Sequence, residues 1–116
     1  MNPARDSATI AERLRVGAGF AQQERPAIVE RLSSLDARLA TYAATDTDLE
    51  LSIKDRDRPG QKVTLECWIA GQQRLVATSA EENLADALAD VRDDLRRQLD
   101  DAKTRSEPRN NRKLRS

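Results

Sequence analysis

Between residues 62 and 103 the hydrophobic period changes from two to between three and four, which commits the stretch to strands followed by a helix. In KVTLECWI, Val63, Leu65, Cys67 and Ile69 fall on one face and Thr64, Glu66 and Trp68 on the other. That is the pattern of a strand with one buried side. Ala70-Gly71-Gln72-Gln73 reads as a turn and Arg74 to Thr78 as a second short strand, so the two form a hairpin. Ser79-Ala80-Glu81-Glu82 has the form of a capping box, with the Ser hydroxyl accepting from the Glu82 backbone and the Glu82 side chain reaching back. Leu84, Leu88, Val91, Leu95 and Leu99 then recur at helical spacing, as one apolar stripe on a long amphipathic helix. A hairpin and a one-striped helix each bury one side, so the helix must lie on the sheet.

The upstream half supplies the rest of that layer. Ile28, Leu32, Leu35, Leu39 and Tyr42 form one face of a helix from about Gln23 to Tyr42, and Pro26 suits its first turn. Leu49, Leu51 and Ile53 alternate with Glu50, Ser52 and Lys54, which reads as another strand, and DRDRPGQ (residues 55–61) as a turn built on Pro59-Gly60. Before the helix, Leu14 and Val16 alternate with Arg13 and Arg15, consistent with a short strand ending at Gly17-Ala18-Gly19. A helix starting at Thr9 fits residues 11–17 as well. The expected architecture is α+β, in the order β-α-β-β-β-α: a four-stranded sheet with two helices on one face. With 116 residues, 38% of them apolar and 3% aromatic, the core must be one thin aliphatic layer.

Three segments are expected: a disordered N-terminus (1–10), one domain (11–103) and a basic flexible tail (104–116). The opening MNPARDSATIAERL has no continuous apolar run, so neither a signal peptide nor a membrane span is expected. A lone Cys cannot form an internal disulfide. A cytoplasmic, soluble protein is the reading. Net charge is zero, but residues 103–116 carry six basic residues against Glu107, leaving a mildly acidic body. That asymmetry points to a polyanionic partner reached by the tail, set against a tail that merely solubilises.

Catalysis has little to work with. There is no His, and no nucleophile–base pair is visible, so no enzyme and no cofactor are expected. Asp55, Asp57, Gly60 and Glu66 fall at positions 1, 3, 6 and 12 of a calcium loop, but Pro59 takes position 5 and strands flank it. A hairpin turn is the reading, and no metal site is assigned. Gly17-x-Gly19 lacks the third glycine of a dinucleotide fingerprint and reads as a turning loop. The last helix sets Asp93 and Asp101 four residues before Arg97 and Arg105, which makes a self-paired solvated face one account. In the other account, Arg92, Arg96 and Lys103 line a surface that meets phosphates. By parity Trp68 lies on the sheet face away from the helices, where it stacks on a partner or is covered by neighbours such as Val76.

The junction Thr78-Ser79-Ala80-Glu81, the helix end Arg97-Gln98-Leu99 and the stretch Arg31-Leu32-Ser33-Ser34-Leu35-Asp36 resemble the ribosome hibernation promoting factor family, with its ribosome-associated inhibitors. The likeness spans about residues 12 to 105. It implies a stress factor bound to ribosomal RNA in the mRNA/tRNA channel of the small ribosomal subunit, blocking translation. Arg31, Arg97 and Lys103 match the family's basic helix positions, and Arg105 keeps the charge of a lysine. Arg38, Arg92 and Arg96 are this chain's own additions, and the tail adds Arg109, Arg112, Lys113 and Arg115. Ser34, Asp94 and Asp101 stand where the family commonly has lysine, which marks a divergent copy. The chain also looks like a short form, without the second domain that pairs ribosomes. The rival expectation keeps the fold but changes the partner: a regulatory module docking a protein through the open sheet face near Trp68, no longer binding ribosomes. Neither reading involves a membrane or a small-molecule substrate.

Overall fold

In the computed structural model of the protein, residues 9–105 are described, with side chains through residue 102. The first described element is α1 (Thr9–Arg13), which passes directly into β1 (Leu14–Val16), so both readings of this stretch hold, one after the other. Thr9 and Ile10, expected within the disordered N-terminus, are buried in α1; residues 1–8 lie outside the described residues. After a 3-10 turn at Gln22–Glu24 come α2 (Arg25–Leu32), a 3-10 turn at Ser33–Leu35 and α3 (Asp36–Leu39). Then follow β2 (Thr47–Lys54), β3 (Lys62–Ile69), β4 (Leu75–Ser79) and α4 (Leu84–Arg105). Because α4 continues through Arg105, two residues assigned to the tail are helical; the remainder of the tail lies outside the described residues.

The strands lie in the order β1-β2-β3-β4, with β1 parallel to β2 and the other pairs antiparallel. Register follows the alternation: Leu49 faces Cys67, Leu51 faces Leu65 and Ile53 faces Val63, all on the covered side. One slip of a residue would turn this whole set to solvent, which is why the pairing is firmly specified. Ile28, Leu32, Leu35 and Leu39 meet that face from α2–α3, and Leu88, Val91, Leu95 and Leu99 from α4. The Cys67 thiol sits in this layer with no exposed surface, and burial pushes its pKa up to about 12, so it stays neutral.

The helix expected over residues 23–42 is broken at Ser33–Leu35. Ser33 Oγ donates to the Glu30 carbonyl at 2.8 Å, competing with the helical bonding of that turn. The break turns Asp36 toward α1, where its Oδ1 accepts the Ile10 N–H at 2.8 Å. Burial raises the Asp36 pKa, and this hydrogen bond opposes the rise.

The cap of α4 also differs from the sequence reading. Ser79 ends β4; its hydroxyl accepts from the Glu81 N–H at 3.2 Å and donates to Asp90 Oδ2 at 2.8 Å. The capping oxygen comes from Asn83, whose Oδ1 accepts the Asp86 N–H at 3.0 Å. The apolar period starts at Leu84, so the cap sits one residue before it.

Gly17-Ala18-Gly19 prolongs the β1–β2 ladder: Gly17 N donates to Leu51 O at 2.7 Å and Ile53 N to Ala18 O at 3.0 Å. Gly19 has φ 94°, and any Cβ there would collide with Ile53, so only glycine fits. No described helix is long and apolar enough to cross a membrane.

Candidate nucleic-acid interface

The helices α2 and α4 lie side by side on the sheet, so their outward residues share one surface. Arg31, exposed in the last turn of α2, and Arg92 of α4 meet there: an Arg92 Nη donates to the Arg31 carbonyl at 3.4 Å. Together with Glu30, Ser33 and Ser34 they line a shallow groove of about 500 Å³. Arg38 of α3 reaches α4 at the other end of the surface, where its Nε donates to Asp100 at 3.2 Å.

The α4 arginines are tied to aspartates of their own helix. Arg92 Nε donates to Asp93 at 2.9 Å, and Arg96 reaches the same carboxylate at 3.4 Å. The Arg92 hydrogen bond holds the Asp93 carboxyl below its usual range, with Arg96 and Arg97 adding attraction, so Asp93 stays ionised and keeps both partners. Arg97 pairs with Asp94 at 2.5 Å, and Gln98 donates to the other Asp94 oxygen at 3.3 Å. The expected Asp93–Arg97 pair is thus replaced by two pairs at spacing three, Asp93–Arg96 and Asp94–Arg97. A rotamer choice, not a propensity, decides between those spacings. Lys103 and Arg105 lie in the described backbone of α4 but not in its described side chains; Arg109, Arg112, Lys113 and Arg115 lie outside the described residues.

Exposed pairs of this kind contribute at most about 1 kcal/mol each, so a phosphate could displace Asp93 or Asp94 from these arginines. A polyanion at this surface would first have to break those internal pairs. Arg31 differs: among the described residues no carboxylate lies within ion-pairing distance of it.

On the opposite side of the sheet, Trp68 is half-buried. The Arg15 guanidinium lies over its ring, 5.8 Å from the centroid, while Val76 is exposed and stands opposite Glu66. The cover therefore comes from β1. Glu50 and Glu66 face each other across β2 and β3, a like-charge pair offset by Arg15 at 3.7 Å and Arg74 at 3.3 Å. Glu66, so engaged, belongs to the sheet rather than to the Asp55–Asp57 loop.

Sequence reasoning missed Gln61. It is buried, with Oε1 accepting the Asp57 N–H at 2.9 Å and Nε2 donating to the Glu81 and Glu82 carbonyls at 2.9 and 3.1 Å. It clips the β2–β3 loop to the turn before α4. On the other side of that loop, Arg56 grips Glu24 at 2.6 and 2.9 Å and lies over Phe20. The Arg56 hydrogen bonds bring Glu24 from its usual 4.5 down to about 2. No pattern in the sequence marks either contact, since both depend on the fold bringing separate loops together.

A family profile described as sigma 54 modulation protein / S30EA ribosomal protein matches residues 23–107, from the 3-10 turn before α2 to past the end of α4. No individual curated protein matches the chain.

Proposed function

The chain belongs to the sigma 54 modulation / S30EA ribosomal protein family of ribosome-associated modulation factors, and from that premise we propose that it is a translation-inhibiting hibernation factor. It occupies the mRNA/tRNA channel of the small ribosomal subunit under stress and works by occlusion. A rigid wedge is held there by phosphate contacts with little base reading. Such a factor needs no catalytic group and no cofactor. The observation that carries the reading is the family match over α2 to α4, together with the meeting of Arg31 and Arg92 on one surface. Arg31, Arg38, Arg92, Arg96, Arg97, Lys103 and Arg105 provide the helix-face contacts, and the segment from residue 106 onward adds basic charge beyond them.

The test is competition in a reconstituted system. Protein added to small subunits should prevent mRNA and initiator tRNA from binding, and preformed complexes should resist it. Simultaneous binding of all three would place the protein outside the channel.

One observation favours a second reading. The α4 arginines are neutralised by their own aspartates, while Trp68 and Arg15 form an ordered stack on the open face. In that reading the fold docks a regulatory protein through the sheet, and its affinity depends little on salt.

A further inference from the structure

Most described cations are already engaged: Arg13, Arg15, Arg38, Arg56 and Arg74 pair with carboxylates, as do the α4 arginines. Arg25 donates to the Leu14 and Ala11 carbonyls. Besides Arg31, those left without a carboxylate within 4 Å, among the described residues, are Lys54, Arg58 and Lys62. All three belong to a single hairpin, β2–β3.

Lys54 and Lys62 stand directly opposite each other where the two strands meet the loop, on the open side of the sheet. Two like charges in register oppose folding. The next row inward holds only hydroxyls, Ser52 opposite Thr64 opposite Thr78. Arg58 is exposed in the loop between the lysines, and the loop's own carboxylates, Asp55 and Asp57, pair with none of the three.

The loop is held in place from both sides. Gln61 clips it to the residues before α4, and the Arg56–Glu24 pair fastens it to the turn after β1. Asp55 and Asp57 adopt φ 55° and 64°, a left-handed turn backbone that Asp tolerates better than most residues. A fixed loop presents its cations with no backbone to order on binding, leaving only the side chains to be immobilised. Lysines with neighbouring hydroxyls suit a phosphodiester backbone, since Lys, Ser and Thr all serve as phosphate ligands. A protein interface would centre instead on a buried aromatic anchor.

We propose that the β2–β3 hairpin, through Lys54, Lys62 and Arg58, is a second contact for the RNA phosphate backbone, on the side of the sheet opposite the helices. The proposal rests on the ribosome-binding reading and extends it: the factor is gripped from both faces.

The experiment compares the full chain with Lys54→Gln/Lys62→Gln and Lys54→Arg/Lys62→Arg. Binding to purified small ribosomal subunits is measured across a salt series, and thermal unfolding is followed in parallel. Two lost phosphate contacts flatten the slope of log K against log salt by about 1.4 to 1.8, which at 0.1 M salt is a loss on the order of 30- to 60-fold. The glutamine pair should show that loss with unchanged or higher thermal stability, because the like-charge pair is gone. The arginine pair should bind like the parent.

Parent binding with the glutamine pair equal in affinity and slope would overturn the hairpin contact while leaving the ribosome reading intact. A loss of affinity without a change of slope, unrescued by arginine, would overturn it in favour of a protein contact. Failure of the parent chain to bind at any salt would overturn the ribosome reading and the hairpin contact with it.

Discussion

Replacing Asp94 with lysine should make the protein bind ribosomes more tightly while folding less stably. Asp94 Oδ1 takes Arg97 at 2.5 Å and Oδ2 takes Gln98 at 3.3 Å. Asp94→Lys removes the acceptor, releases Arg97 and adds a cation beside it. If both side chains then reach phosphates, each adds about 0.7 to 0.9 to the slope of log K against log salt. The gain at 0.1 M salt is then on the order of 30- to 60-fold. Asp94→Asn, which frees Arg97 without adding charge, should give about half that change in slope. The cost to the fold is modest. An exposed pair is lost, and repulsion between the introduced lysine and Arg97 at spacing three replaces it, together about 1 kcal/mol. Gln98 keeps its other bond, to the Val76 carbonyl at 2.8 Å. Melting should fall by roughly 4 to 8 °C in a domain of this size. The assay is salt-dependent binding to small subunits beside thermal unfolding of the same preparations. Unchanged or weaker binding by a folded Asp94→Lys protein would refute the placement of this helix face against RNA.

Three further outcomes are expected. Deleting residues 106–116, which leaves α4 whole, should weaken ribosome association and flatten its salt dependence; unchanged sedimentation at physiological salt would remove the tail from the mechanism. Gln61→Ala should destabilise the fold by about 2 kcal/mol, since it strands the Asp57 N–H and two carbonyls, with partial rescue by water at the exposed turn. A shift in the urea midpoint worth under about 0.5 kcal/mol would show that the clip is dispensable. Glu24 sits near 2 when folded and 4.5 otherwise, so its contribution is complete above pH 4.5 and disappears as pH falls through 2. Glu24→Gln should therefore be less stable at neutral pH and lose less stability on acidification. An acid unfolding curve parallel to the parent's would contradict the pairing.

How much of this the sequence disclosed follows from what periodicity encodes. The strands β2 and β3, the stripe on α4 and the side on which Trp68 lies all follow from which residues alternate, because burial of one face imposes that alternation. Ser79 has the spacing of a cap, but it remains in the sheet, and Asn83, next to the first helical leucine, caps instead. The Ser33–Leu35 break is hidden because Leu32, Leu35 and Leu39 keep the helical spacing straight through it. The candidate site was less legible still. Composition showed how many arginines α4 carries, and nothing in it showed that Asp93 and Asp94 would hold them. Nor did Lys54 and Lys62, eight residues apart, announce that strand register would set them face to face.

Everything proposed for this fold depends on its being held on the small ribosomal subunit by phosphate contacts. Co-sedimentation of the purified full chain with small subunits, at low and at physiological salt, tests that most directly. Stoichiometric pelleting that fades steeply as salt rises is the expected result. Absence of pelleting at both salts would contradict the claim, and salt-insensitive pelleting would transfer the contact to a protein surface.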